Sequence, residues 1–181
     1  MKKTFFITLL FTICSLLAHS QSYLGTVNKI ANLRNGPGSD YDKIKQLKIG
    51  TQVFIISTET ENEYYNVINI ATNEMGFLHQ SCVKKGQLIH KNESGMFSST
   101  GTSDNYNPDI EIFNNTNLKL TLKLNSQIYT FLPHKKQTIS IEPGDIDYLA
   151  SAPGVMPNYG TEIMNSNRNY TWEFFISTTR R

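Results

Sequence analysis

From Gln21 onward the apolar positions tend to recur every second residue, and no stretch sustains the 3.6-residue period of an amphipathic helix. The clearest case is Leu118, Leu120, Leu122 and Leu124, alternating with Lys119, Thr121 and Lys123. That pattern predicts a strand with one buried and one wet face. Asn125-Ser126 turns it into a second run at 127–132, and Pro133-His134-Lys135-Lys136 turns again into 138–141. Glu142-Pro143-Gly144-Asp145 then leads into 146–152. Near the end, Tyr170, Trp172, Phe174 and Ile176 alternate with Thr171, Glu173 and Ser177, although Phe175 breaks the polar side. About seven short strands at this spacing predict a compact β-sandwich over 109–181, with Trp172, the sole tryptophan, in its core.

The first half is more irregular but also all-β. Short runs at 25–30, 52–57, 64–70 and 76–78 are separated by Gly, Pro, Asn and Asp, and this half ends near residue 85. Residues 86–108 are rich in small polar types, as in Ser98-Ser99-Thr100-Gly101-Thr102-Ser103. They read as a polar linker, whose reach at ~20 residues is on the order of 25 Å. Met96-Phe97 is its apolar exception and can dock on either neighbour. The loop 151–160 is long for a compact sandwich and carries Val155, Met156 and Tyr159. It reads either as a binding loop or as a cover for one open end.

The amino terminus alters both location and charge. Met1-Lys2-Lys3, an apolar run at 5–17 and the small residues Ala18 and Ser20 form the pattern of a secretory signal peptide, 1–20. An uncleaved anchor is the alternative, but the run falls short of the ~20 residues that span a bilayer. Phe11-Thr12-Ile13 puts bulk where a lipid-anchored Cys14 would need a small residue. Without Lys2 and Lys3 the 17 basic residues become 15, equal to the 15 acidic ones, and the net charge falls from +2 to zero. A neutral chain offers no global field for nucleic acid, and no later apolar segment is long enough for stable membrane insertion. The expected location is periplasmic or extracellular. Cys82 becomes the only thiol, so an intramolecular disulfide is impossible and packing must hold the fold.

Asn32-Leu33-Arg34-Asn35-Gly36-Pro37, then Tyr41, Ile44, Leu47, Gly50 and Val53, resembles the bacterial SH3 (SH3b) domain family over about residues 23–83. Tyr64 stands where that family usually has Trp, Val67 where it has Val, and Gly76-Phe77-Leu78 replaces its closing G-W-V. The resemblance implies a small SH3-like barrel over 21–85 that binds peptide or peptidoglycan-type ligands and performs no chemistry. Independently, Pro37 between Gly36 and Gly38 suits a tight loop after a strand, and Gly76 suits a close backbone approach. Aromatics with polar tips supply contact area at peptide-binding surfaces, which makes Tyr41, Tyr64, Tyr65 and Phe77 candidate ligand-binding residues. Tyr64 and Tyr65 are adjacent in a strand and so point to opposite faces. Arg34 can pair a ligand carboxylate or, alternatively, hydrogen-bond loop carbonyls.

Catalysis finds little footing. Cys82 with His79 or His90 is the one conceivable nucleophile pair, a cysteine hydrolase, against the alternative of a small packing residue in the last strand of the first half. His79-x-x-Cys82 lacks a clear fourth zinc ligand, and Asp145 and Asp147 flank a turn where Asp is common. No G-x-S-x-G, H-E-x-x-H or phosphate-loop motif occurs, and no cofactor is implied. The second half faintly resembles small PEGA-type β-sandwiches in its P-G-D and A-P-G-V turns. Together these features predict an exported, non-catalytic binding or adaptor protein whose partner is a peptide or cell-wall ligand. The rival is an envelope assembly protein that binds only other proteins.

Overall fold

Residues 21–176 are described by the computed structural model; the expected signal peptide at 1–20, Cys14 within it, and Ser177 lie outside the described residues. Turn-forming residues cut the described part of the chain into fifteen strands and one 3-10 turn, Gln80–Cys82. In the first half these are β1 (Ser22–Val27), β2 (Ala31–Arg34), β3 (Lys43–Leu47), β4 (Gln52–Ile55), β5 (Tyr64–Asn69), β6 (Met75–His79) and β7 (Val83–Ile89). They form one antiparallel sheet in the order β3-β2-β6-β5-β4-β1-β7. Strands β3 and β7 stay at its two edges, so the sheet is open and does not close into the expected barrel. One face carries a core of Val27, Leu33, Leu47, Val53, Ile55, Val67 and Leu78, with Tyr65 and Cys82 packed at its margin. Period-2 alternation sends the neighbours Phe54 and Ile68 to the opposite face.

The second half continues with β8 (Ser98–Thr102), β9 (Asp109–Asn114), β10 (Leu120–Leu124), β11 (Gln127–Phe131), β12 (Lys136–Ser140), β13 (Gly144–Ser151), β14 (Asn158–Met164) and β15 (Arg168–Phe174). Two four-stranded sheets, β11-β10-β13-β14 and β12-β9-β15-β8, enclose a common sandwich-like core. Leu120, Leu122, Leu124, Ile146 and Tyr148 come from one sheet, and Ile110, Ile112, Ile139, Tyr170 and Phe174 from the other. Strand β15 inserts between β9 and β8, parallel to β9, with Tyr170 opposite Ile110 and Trp172 opposite Ile112. Trp172 is half-buried, at the rim of the core, where its ring meets Phe97 and Phe174 at centroid distances of 6.0 and 5.7 Å. The expectation that it lies in the core is met only in part: it packs against the core from the rim, while Phe131, Ile110, Ile112, Leu120, Leu122 and Met164 are fully buried.

The side of β10 expected to be wet is not. Thr121 is buried and Lys123 half-buried, because this face of the sheet is turned toward the first half of the chain. There Leu149 packs with Phe54, Ile68, Ile70 and Ile89, and Tyr159 and Leu24 border the cluster. The rings of Phe54 and Tyr159 meet edge to face at 5.1 Å, and the Tyr159 hydroxyl donates to the Ile89 carbonyl at 3.3 Å. Strand β13 is therefore covered on both faces, and its run Tyr148-Leu149-Ala150-Ser151 is buried throughout.

Residues 86–108, expected as a flexible spacer, carry the end of β7, all of β8, and an anchored segment between them. The Asn92 amide donates to the Tyr159 carbonyl at 2.8 Å, and the Glu162 carboxylate accepts from the amides of Met96 and Phe97 at 2.7 and 3.2 Å. Phe97 enters the sandwich core against Tyr148. These bonds cover the outer edge of β14. The apparent loop at 151–160 is likewise shorter than its composition suggests: β14 begins at Asn158, and the Gly154 amide donates to Gln52 Oε1 of the first half at 3.2 Å.

Candidate functional site

The sequence-predicted residues divide between the two faces of the first sheet, as the strand registers dictate. Tyr64 pairs with His79 and Asn66 with Phe77 across β5 and β6, and Phe77 pairs with Arg34 of β2. Paired residues share a face, so Arg34, Tyr64, Phe77 and His79 all point away from the core. Tyr65, paired with Leu78, points the other way and packs at the core margin. The structure thus assigns the two tyrosines opposite roles: Tyr64 belongs to the surface and Tyr65 to packing.

On the outer face lies a shallow hollow of about 240 Å³, lined by Asn32, Arg34, Gln46, Tyr64, His79 and Cys82 among others. Arg34 Nη1 donates to the Tyr41 carbonyl at 2.6 Å, which ties the guanidinium to the loop carrying Gly36 and Pro37. This is the loop-carbonyl alternative foreseen for Arg34, and it also holds the side chain at the edge of the hollow. The Tyr64 ring meets the His79 ring edge to face at 5.1 Å. The Asn32 Oδ1 atom is buried and has no hydrogen-bond partner. Phe77 sits opposite Arg34 without lining the hollow, and Tyr41 contributes its carbonyl while its ring covers the loop.

That ring explains Gly36. A methyl group at Gly36 would fall inside the van der Waals envelope of the Tyr41 ring, whose other side meets Gly38. Gly36→Ala should expel the ring and lower stability by about 1–2 kcal/mol, read as the urea midpoint. An unchanged midpoint would show that the ring has no role in packing. Gly76 answers to a backbone contact instead, since an added Cβ would lie 2.6 Å from the Arg34 carbonyl oxygen.

Asn32 and Gln46 are the residues that the sequence reading missed. The signal was present: Asn32 is two residues from Arg34 in one strand and shares its face, and Gln46 pairs with Asn32 across β2 and β3. His79 came under consideration only as a partner for Cys82. Its Nδ1 instead contacts Ser81 Oγ at 2.8 Å, and its Nε2 lies 3.6 Å from Glu63. Both ring nitrogens thus face groups other than the thiol. Among the described residues no three His, Cys, Asp or Glu side chains gather as metal ligands, and no helix is long and apolar enough to cross a membrane. No protein-family profile matches the chain, and no curated protein matches it.

Proposed function

We propose that this chain is an exported, non-catalytic binding protein whose SH3-like first half holds an extended peptide, such as a cell-wall peptide, across the outer face of β2, β5 and β6. The observation that carries this reading is the hollow at Arg34: a fixed guanidinium, an aromatic wall from Tyr64, an unpartnered acceptor at Asn32 Oδ1, and no carboxylate among its lining residues. A peptide offers what these groups lack. Its carbonyls or terminal carboxylate accept from Arg34, and its amides donate to Asn32. The engagement of His79 with Ser81 and Glu63 supports a non-catalytic role for Cys82.

Co-sedimentation with purified peptidoglycan tests this reading. Tyr64→Ala with Arg34→Gln should weaken binding by about tenfold or more, while Tyr65→Ala should lower stability through lost packing. Retained binding in a folded Tyr64/Arg34 double variant would overturn the assignment of the surface. If the wild type does not sediment with the wall, the reading passes to assembly with other envelope proteins, and Rapid alkylation of native Cys82 would instead revive the hydrolase.

A further inference from the structure

A larger cavity than the hollow at Arg34 lies in the cleft between the two halves. It measures about 700 Å³, within the range of roughly 300–1,000 Å³ typical of small-molecule sites. One wall comes from the outer face of the first sheet, with Ile56, Ile68 and Met75; the other comes from Lys123, Leu149 and Tyr159. Met75 is 43 % exposed. The floor is the apolar cluster of Phe54, Ile68 and Leu149 that joins the halves. The cleft is therefore built by both halves together, and neither half alone supplies it.

Lys123 is the anomaly in this cleft. It projects from β10 on the face turned toward the first half, half-buried, opposite Leu149. No ion pair or hydrogen bond engages its ammonium among the described residues, although Lys45 and Lys136 each find a carboxylate at 3.0 Å or less. Burial alone lowers its pKa, with no acidic group acting in the opposite direction. Asp147 and Glu93 also line the cleft, but both are exposed and neither reaches ion-pairing distance of Lys123. A cation partly withdrawn from water without a partner is unfavourable, and an anion brought by a ligand would relieve it.

We propose that this cleft is a second ligand site, for a small amphiphile with an apolar body and a carboxylate or similar anionic head. The body lies against Ile56, Ile68 and Met75, and the head meets Lys123, with Lys91 at the rim. The site is independent of the hollow at Arg34, which faces the ligand proposed above.

Calorimetric titration with decanoate, kept below its micelle concentration, tests the proposal, with decyltrimethylammonium as the cationic counterpart. Decanoate should bind saturably at one site, at least about tenfold more tightly than the ammonium. Lys123→Met should remove that preference, and Lys123→Gln provides a second variant should the first fail to fold. Backbone amide shifts should concentrate at Ile68, Met75, Lys123 and Tyr159. Equal binding of the two surfactants, an unchanged decanoate affinity in a folded Lys123 variant, or shifts centred on Arg34 and Tyr64 would overturn it. So would association only with anionic phospholipid vesicles, which would indicate a membrane surface in place of a free ligand.

Discussion

Asn114→Leu is expected to lower the unfolding free energy by about 3–5 kcal/mol, as one buried and two partly buried carbonyls lose their donor at about 1–3 kcal/mol each, moderated by the apolar gain. Asn114 has no exposed surface, and its Nδ2 donates to the carbonyls of Leu118, Phe131 and Leu132 at 2.8, 3.0 and 3.1 Å. Two amide hydrogens are thus shared among three acceptors. Its Oδ1 accepts from the Thr116 hydroxyl at 2.8 Å, and that hydroxyl in turn accepts from the Leu118 amide at 3.1 Å. One side chain at the end of β9 therefore fixes the β9–β10 connection and the end of β11, which lie in different sheets. Asn114→Asp should be worse still, because an ionised carboxylate would face the same carbonyl oxygens without a donor. Denaturant unfolding followed by Trp172 fluorescence measures both. A loss below about 1 kcal/mol for Asn114→Leu would mean that water or local rearrangement satisfies the carbonyls.

Leu149→Arg is expected to split one thermal unfolding transition into two. The wild-type halves share a buried cluster in which Leu149 is 5 % exposed and touches Phe54, Ile68 and Ile70 from the opposite sheet. Two small units joined by such an interface unfold together when the interface is stable under the same conditions. A guanidinium placed in this apolar cluster would force the faces apart at a cost of several kcal/mol, while leaving each half its own core. Calorimetry should then show the first half and the sandwich-like half melting separately. A single transition merely shifted to lower temperature would mean that neither half is stable alone. Two transitions already present in the wild type would mean that the cluster contributes little coupling.

The strand content was legible because period-2 alternation is a local property. The runs at Leu118–Leu124 and Tyr170–Phe174 emerge as β10 and β15 with small shifts at their ends. What was not legible is what covers each face. Lys123 alternates with leucines and so reads as solvent-facing, yet it borders a cleft because another sheet stands opposite. Tyr159 reads as part of a loop, and becomes an interface residue because β14 starts one residue earlier, at Asn158. Strand β8, Ser98–Thr102, has no apolar pattern at all, and its five residues are exposed. Pairing with β15 holds it, and that information lies about 70 residues away in sequence.

At the candidate hollow, the motif around Arg34 and the opposed directions of Tyr64 and Tyr65 followed from sequence and strand geometry. Which tyrosine faced outward did not. That choice depends on the register of β5 against β6, where Leu78 claims the inner side opposite Tyr65. Asn32 and Gln46 were overlooked because polar residues in short strands carry no distinguishing pattern until pairing places them together.

The position of β15 also sets an order of events during folding. Its parallel partner β9 lies about 60 residues earlier, as the pairing of Tyr170 with Ile110 shows, and β8 lies earlier still. Until β15 arrives, β9 and β8 have no contact as neighbours, and Ile110 and Ile112 face an incomplete layer. Loop closure over that distance must precede any reward from packing, which makes this the slow, late step of assembly. The first sheet closes a comparable distance when β7 pairs with β1, Ser22 opposite Ile89, but all of its strands are already in the chain by Ile89. During synthesis, the half nearer the amino terminus can therefore gain structure while the other still presents open strand edges.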